Sequence, residues 1–239
     1  AVAPSLTSCL SDEESRKVRR IAPVAGKYDV VVVGGGPAGF IAAIAAARKG
    51  AKVAIIERYG FFGGMATIGY VAPISVFALK NELVIGGIPW EFVKRLESMG
   101  GAFIEWPKAN IDFDIELYKL CCQRMILEAG VDILYGSYVI DASVNNGKIE
   151  YLTVVNKTGK TDYYINSVVD ATGDGDLGYH CGASYEIGNE NGITQPMSLV
   201  AHISGVNISK TEYDSRYVKN KEAKAKILAD MERAGVTPS

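Results

Sequence analysis

The residues with the clearest chemistry are Gly34, Gly36 and Gly39, with Pro37 and Ala38 between them and Glu57 about 20 positions further on. A G-x-G-x-x-G spacing suits a diphosphate. The first glycine allows a tight turn, and the second leaves no side chain in the path of a pyrophosphate. The third lets helix and strand pack closely. N–H groups at a helix start, together with the positive end of its dipole, would hold that pyrophosphate. Glu57 would accept a hydrogen bond from a ribose hydroxyl. Alone, such a motif carries little weight, because any glycine-rich turn can match it; its context decides.

That context is a strand, a helix and a second strand. Residues 29–33 (DVVVV) form a short β-branched run of the kind found in buried parallel strands. The helix after Gly39 carries Ala42, Ala43, Ala45 and Ala46, which keep its contact with the sheet thin. Residues 52–56 form a second apolar strand ending on Glu57. Next comes a glycine-dense stretch, residues 58–67, with Arg58, Gly60, Gly63 and Gly64. It is either a loop pressing its backbone on a ligand held by the first turn, or a plain strand-to-helix connection.

Residues 68–112 are mixed. A turn at residues 85–89 places Pro89 at the start of a helix with Trp90, Phe92, Val93 and Leu96 at helical spacing. Gly100 and Gly101 end it. Asp114 is placed to cap another helix, whose apolar positions are Ile115, Leu117, Leu120, Met125, Ile126 and Leu127. Residues 131–135 predict a third parallel strand. Residues 138–144, 149–155 and 161–165 alternate, with Asn145-Asn146-Gly147 and Lys157-Thr158-Gly159 between them, which predicts an antiparallel three-stranded meander. A further strand at 167–171 runs into a Gly/Asp turn. An EF-hand loop starting at Asp174 needs Glu at its twelfth position, where Tyr185 stands, so no metal site is expected. A strand is predicted at 197–203 and a charged helix at 209–234. Tyr217 and Lys221 match Y-x-x-x-K by chance, on what reads as a solvated helix face.

The fold class expected is α/β: a Rossmann-like parallel sheet with helices, the antiparallel meander, and the start of a substrate domain. The expected divisions are an N-terminal extension (1–27), a nucleotide-binding domain (28–194, with the mixed insertion at 68–112) and the beginning of a substrate or cap domain (195–239).

With 239 residues the chain can bury about 70% of its unfolded surface. A net charge of −2 gives no nucleic-acid footprint, and no apolar run reaches the roughly 18 residues of a membrane span. Cys9, Cys121, Cys122 and Cys181 contain no C-x-x-C and suit neither a zinc site nor a disulfide framework. Residues 1–27 carry no long apolar core and are not read as an intact signal peptide, despite Arg19-Arg20. A cytoplasmic location is expected.

Five stretches occur in an order that resembles one family: VVVGGGPAGFIAAIAAARKGAKVAIIERYGFFGGMAT, VIGGIPWEFVKRL, DFDIELYKLCCQRMILEAGVDILY, VVDATGDGDLG and GITQPMSL. The chain is similar, over about residues 28–208, to FAD-dependent oxidoreductases of the glutathione-reductase-like fold, and within them to the broad bacterial branch with GGMAT after the ribose acid. The resemblance implies non-covalent FAD, with Gly34, Gly36 and Gly39 at its pyrophosphate and Glu57 at the adenosine ribose beside Arg58. It implies Gly63, Gly64, Met65, Ala66 and Thr67 along the ribityl and flavin side. Val139 would meet adenine through its backbone, and Ala171, Thr172, Gly173 and Asp174 would form a second flavin-side turn. His180 would be either an acid/base group or a partly buried structural histidine.

The implied function is hydride transfer between flavin N5 and a small organic substrate. Two alternatives are a flavin-binding subunit or fragment inactive without a second polypeptide, and an NAD(P)-dependent dehydrogenase. Glu57 followed by GGMAT, the meander and the returning turn at 171–173 argue against the last. Members of the family are longer. Residues 1–239 are therefore expected to need a C-terminal half, from the same gene or a second chain, and a homo-oligomer stays open.

Overall fold

The β-branched run near the N-terminus is buried on both faces, as a central parallel strand must be. In the computed structural model, which describes residues 27–200 together with Ala229, Glu232, Arg233 and Gly235, this run is β1 (Tyr28–Val33). Val32 packs with Phe40, Ala43 and Ile44 of helix α1 (Pro37–Arg48), while Val31 and Val33 join a second cluster on the opposite face. The chain divides into two compact units, Ala1–Tyr185 and Glu186–Ser239.

In the first unit, β1 pairs in parallel with β2 (Val53–Ile56) on one side. Residues 68–113 then hold three pieces too short to announce themselves by alternation: β3 (Pro73–Ile74), β4 (Ala78–Leu79) and β5 (Glu82–Leu83). Helix α2 (Gly87–Ser98) follows, then β6 (Ala102–Glu105) and β7 (Asn110–Phe113). β3, β7 and β6 make a small antiparallel sheet, and β4 pairs with β5. Pro89 sits at the third helical position rather than the first. It is still within the first turn, where its missing N–H leaves no bond unmade.

Helix α3 (Ile115–Glu128) begins where Asp114 predicts it, with the Asp114 carboxylate accepting the Leu117 N–H at 2.8 Å. Asp114→Ala should cost about 0.5–2 kcal/mol, read as a lowered urea midpoint with unchanged slope. α3 leads to β8 (Asp132–Leu134), which pairs in parallel with β2. Across the solvent face, Glu91 of α2 takes a forked contact from Arg48 of α1 at 2.6 and 2.9 Å and a third contact from Arg95 at 2.9 Å. Arg95 also reaches Glu128 of α3.

Strands β9 (Tyr138–Asn145), β10 (Lys148–Asn156) and β11 (Gly159–Asp170) form the expected meander. The expectation of two separate strands at 161–165 and 167–171 is corrected. β11 is one continuous strand of 12 residues. Its first half runs antiparallel to β10, and its second half runs parallel to β1, from Ile165 opposite Tyr28 to Asp170 opposite Val33. The chain does not turn at Asn166, whose side-chain amide donates to Asp29 at 3.3 Å. The meander therefore extends the main sheet, in the order β8-β2-β1-β11-β10-β9, rather than interrupting it. A short helix, α4 (Asp176–His180), closes the unit.

In the second unit a polar turn is built on Asn189, whose side-chain oxygen accepts the N–H groups of Asn191 and Ile193 at 2.9 and 3.0 Å. The strand expected at 197–203 is not found over residues 197–200. Met197 and Leu199 are each 99% exposed, with no neighbouring strand among the described residues to complete a ladder. Residues 201–203 lie outside the described residues, as does most of the helix expected at 209–234. Ala229, Glu232 and Arg233 are helical. The N-terminal extension to residue 26, with Cys9, and the Tyr217–Lys221 match also lie outside them.

Cys121 and Cys122 are buried on α3. Burial pushes the Cys121 thiol up to about 11 and that of Cys122 well above its ordinary value, which leaves both unreactive at neutral pH. No described helix is long and apolar enough to cross a membrane.

Candidate dinucleotide site

The carboxyl ends of β1, β2 and β11 meet at one cavity of about 730 Å³, lined at those ends by Val33, Ile56 and Asp170. This is where an open parallel sheet of this kind places a ligand. Its volume falls in the range of small-molecule sites, roughly 300–1,000 Å³.

The glycines of the first turn have different reasons to be glycine. Gly34 has φ +97°, and a Cβ there would lie 2.2 Å from the Ala171 carbonyl oxygen. A Cβ on Gly39 would lie 1.8 Å from the Gly34 carbonyl oxygen, so α1 packs backbone against backbone on the turn. Gly36 differs. Its φ of −68° and ψ of −176° are open to any residue, and a Cβ there would find only the Gly64 Cα, at 3.8 Å. Gly36 and Pro37 open α1, which has no side-chain cap and no acidic residue in its first turn. Gly36, Pro37 and Ala38 all line the cavity. The uncapped N–H groups of a helix start thus stand beside space that a side chain at residue 36 would take.

Glu57 is 5% exposed and also lines the cavity. Its two oxygens are engaged by the backbone: Oε2 accepts the Gly35 N–H at 2.6 Å and Oε1 the Tyr59 N–H at 2.8 Å. A carboxylate has about four acceptor positions, so capacity for a ligand hydroxyl remains. The Arg58 guanidinium lies over the Tyr59 ring at 5.0 Å, and Tyr59 stacks on Phe61.

The loop after Glu57 folds back on the first turn. The Gly63 N–H donates to the Gly35 carbonyl at 2.9 Å, and Gly64 (φ +52°) lies against Gly36 and Pro37. A 3₁₀ turn, Gly64–Ala66, follows. Gly64 and Met65 line the cavity. Gly63, Ala66 and Thr67 do not line it, and neither does Gly39 of α1. Thr67 locks the loop, its hydroxyl donating to the Phe62 carbonyl at 3.0 Å.

At the other end the cavity is bounded by Ser137, Tyr138 and Val139 at the start of β9. Ser137 is tied to the Glu57 carbonyl by its N–H at 3.1 Å.

On the far side is the turn after β11: Ala171, Thr172, Gly173 and Asp174, with Gly175 and Asp176 beyond. Asp170 holds this turn together. One carboxylate oxygen accepts the Thr172 N–H at 3.0 Å and its hydroxyl at 2.8 Å. The other accepts the Gly178 N–H at 2.9 Å. Burial works against ionisation of Asp170, but the N–H groups of Thr172 and Gly178 and the Thr172 hydroxyl outweigh it and hold the carboxyl below its ordinary value. The folded pKa lies below the unfolded one. The turn's stabilisation is therefore complete above about pH 3.9 and is lost as pH falls through the folded value. Asp170→Asn should flatten that part of the acid-unfolding curve, measured by circular dichroism. His180, the last residue of α4, sits beside the Tyr179 ring at 5.8 Å and does not line the cavity.

Comparison with known proteins decides the family. The family profile described as "FAD dependent oxidoreductase" matches residues 29–238. The chain belongs to this family. Thiamine thiazole synthase of Aeropyrum pernix is 29% identical over 165 residues, covering 62% of this chain and 55% of that protein. Dihydrolipoyl dehydrogenase of Acholeplasma laidlawii is 28% identical over 141 residues, covering 56% and 41%. The chain thus spans about half the length, or less, of these curated relatives. The crystal structure of Thermovibrio ammonificans THI4 shares the fold, with a TM-score of 0.50 at 21% identity over 72% of this chain and 70% of that one.

In this member of the FAD dependent oxidoreductase family the cavity residues that the sequence does not point to include Gly35, Tyr59, Ser137, Tyr138 and Asp170, the residue that holds the turn after β11. The clearest available signal is Gly35, a fourth glycine inside the motif, at a position the spacing rule leaves open.

Proposed function

We propose that this chain binds FAD non-covalently in the cavity at the ends of β1, β2 and β11, and that the complete enzyme moves a hydride between flavin N5 and a small organic substrate. The observation that carries the reading is the open space at Gly36 beside an uncapped helix start. Gly36, Pro37 and Ala38 would hold the pyrophosphate, through the N–H groups of Gly36 and Ala38 and the α1 dipole, with Pro37 fixing the backbone between them. Glu57 would accept from the adenosine ribose, with Val139 at the adenine. Gly64, Met65 and the turn from Ala171 to Asp174 would flank the ribityl chain and ring, with Gly63, Ala66 and Thr67 shaping the loop. When bound, FAD supplies the redox chemistry, and the chain's part is to orient it and exclude water. On this reading residues 57–67 would place the chain in the glutathione-reductase-like branch with a GGMAT loop.

A second reading is favoured by one feature: the chain supplies the flavin site and a further polypeptide segment completes the enzyme. Among the described residues, β10 covers only residues 159–164 of β11, and no strand covers residues 165–170 on that side.

Purified protein should be yellow, with absorption near about 450 nm, and acid precipitation should leave a colourless pellet and a yellow supernatant. A colourless protein that takes up no added FAD contradicts the binding; flavin retained on the pellet contradicts non-covalent attachment.

A further inference from the structure

The Gly35 peptide is held at both ends. Its N–H donates to Glu57 Oε2 at 2.6 Å, and its carbonyl accepts the Gly63 N–H at 2.9 Å. Gly35 has no room for anything larger: a Cβ would lie 2.3 Å from Phe62 Cδ1 and 2.8 Å from Glu57 Oε2. Phe62 is fully buried, and its own carbonyl takes the Thr67 hydroxyl that closes the loop. A continuous series of contacts thus runs from the Glu57 carboxylate through Gly35 to Gly63 and the loop 61–67. The second carboxylate oxygen anchors the series at Tyr59.

We propose that Glu57 is a positioning residue for the 61–67 loop, acting through Gly35, in addition to any contact it makes with a ribose. Gly64 lies directly against Gly36 and Pro37, so a shift of the loop moves the part of the cavity wall that Gly64 and Met65 form. A buried carboxylate that satisfies two backbone N–H groups is costly to remove, because both donors are then left without a partner. The ligand arm of the test below rests on the flavin reading of the cavity, with the ring end against this loop; the exchange arm does not.

The test uses the full chain freed of flavin, wild type and Glu57→Ala, with amide hydrogen exchange followed residue by residue. In the wild type the Gly35, Tyr59 and Gly63 amides should be protected. In Glu57→Ala all three should exchange at least about tenfold faster, while the Val31 and Val32 amides of β1 keep their rates. FAD and FMN, the latter without an adenosine, are then titrated. A positioning role lowers both affinities, that of FAD further where the ribose contact is lost as well, whereas a contact with the adenosine ribose alone lowers that of FAD only. A general loss of stability lowers the melting point without changing either affinity in the cold.

An unprotected Gly63 in the wild type overturns the proposal, and so does unchanged Gly63 exchange in Glu57→Ala. If the variant does not fold, exchange of the wild type in mild denaturant decides. Gly35, Tyr59 and Gly63 opening as one unit supports the series, and independent opening overturns it. If the wild type takes up neither flavin, the flavin reading falls while the exchange result still stands.

Discussion

Gly36→Val should leave the chain folded and unable to hold flavin. The backbone at residue 36 is one that valine adopts, and the first side-chain atom meets only the Gly64 Cα at 3.8 Å. Exchanging glycine for valine at a helix N-cap costs under about 1 kcal/mol. The same side chain would occupy the space beside the N–H groups of the α1 start. Blocking two hydrogen bonds to a charged group, at about 1.5–3 kcal/mol each, lowers affinity at least about a hundredfold. Titrating the unloaded variant with FAD by fluorescence, alongside its thermal midpoint, checks both halves. Full flavin occupancy in this variant would mean that the pyrophosphate is not at Gly36.

Gly39→Ala should do the reverse, damaging the fold before any ligand is considered. The added Cβ would be 1.8 Å from the Gly34 carbonyl oxygen. That oxygen belongs to a turn fixed on both sides, since the Gly34 N–H donates to the Ile56 carbonyl at 2.8 Å and the Ala171 N–H to the Val33 carbonyl at 2.8 Å. Relief requires lifting α1 from the sheet. A loss of about 3 kcal/mol is expected, which in a chain of this length lowers the melting midpoint by about 6–12 °C. A midpoint within about 1 °C of wild type, outside that range, would show that the helix start is looser than its contacts indicate. The two substitutions separate roles that the motif merges: one glycine of the pattern serves the ligand space, and the other serves the packing.

Much of this organisation is legible in the amino-acid sequence. The βαβ unit declares itself because a β-branched run, a glycine turn and an alanine-rich helix each have their own pattern, and all three agree. The meander is legible because Asn146-Gly147 and Lys157-Thr158 stand at the two turns between alternating runs. Asp114 marks its helix start by side-chain chemistry alone.

What is not legible has a common cause: contacts between residues far apart in sequence. The double engagement of Glu57 depends on a backbone N–H 22 positions away, and no local pattern encodes it. β3, β4 and β5, of two residues each, are too short for alternation to show. The continuity of β11 across Asn166 is set by partners on two different strands, antiparallel first and parallel after. The strand expected over 197–203 fails over residues 197–200 for the converse reason. An apolar run shows strand propensity, but a strand exists only where a neighbour takes its hydrogen bonds.

The central claim is the position of the diphosphate, and the most direct measurement is a crystal structure of the chain grown with FAD. Density for the pyrophosphate is expected against the start of α1 at Gly36, Pro37 and Ala38, with the adenosine ribose at Glu57 and the ring towards Met65 and Thr172. FAD bound elsewhere on the chain, or a cavity at Gly36 that stays empty while the protein is yellow, would contradict that position.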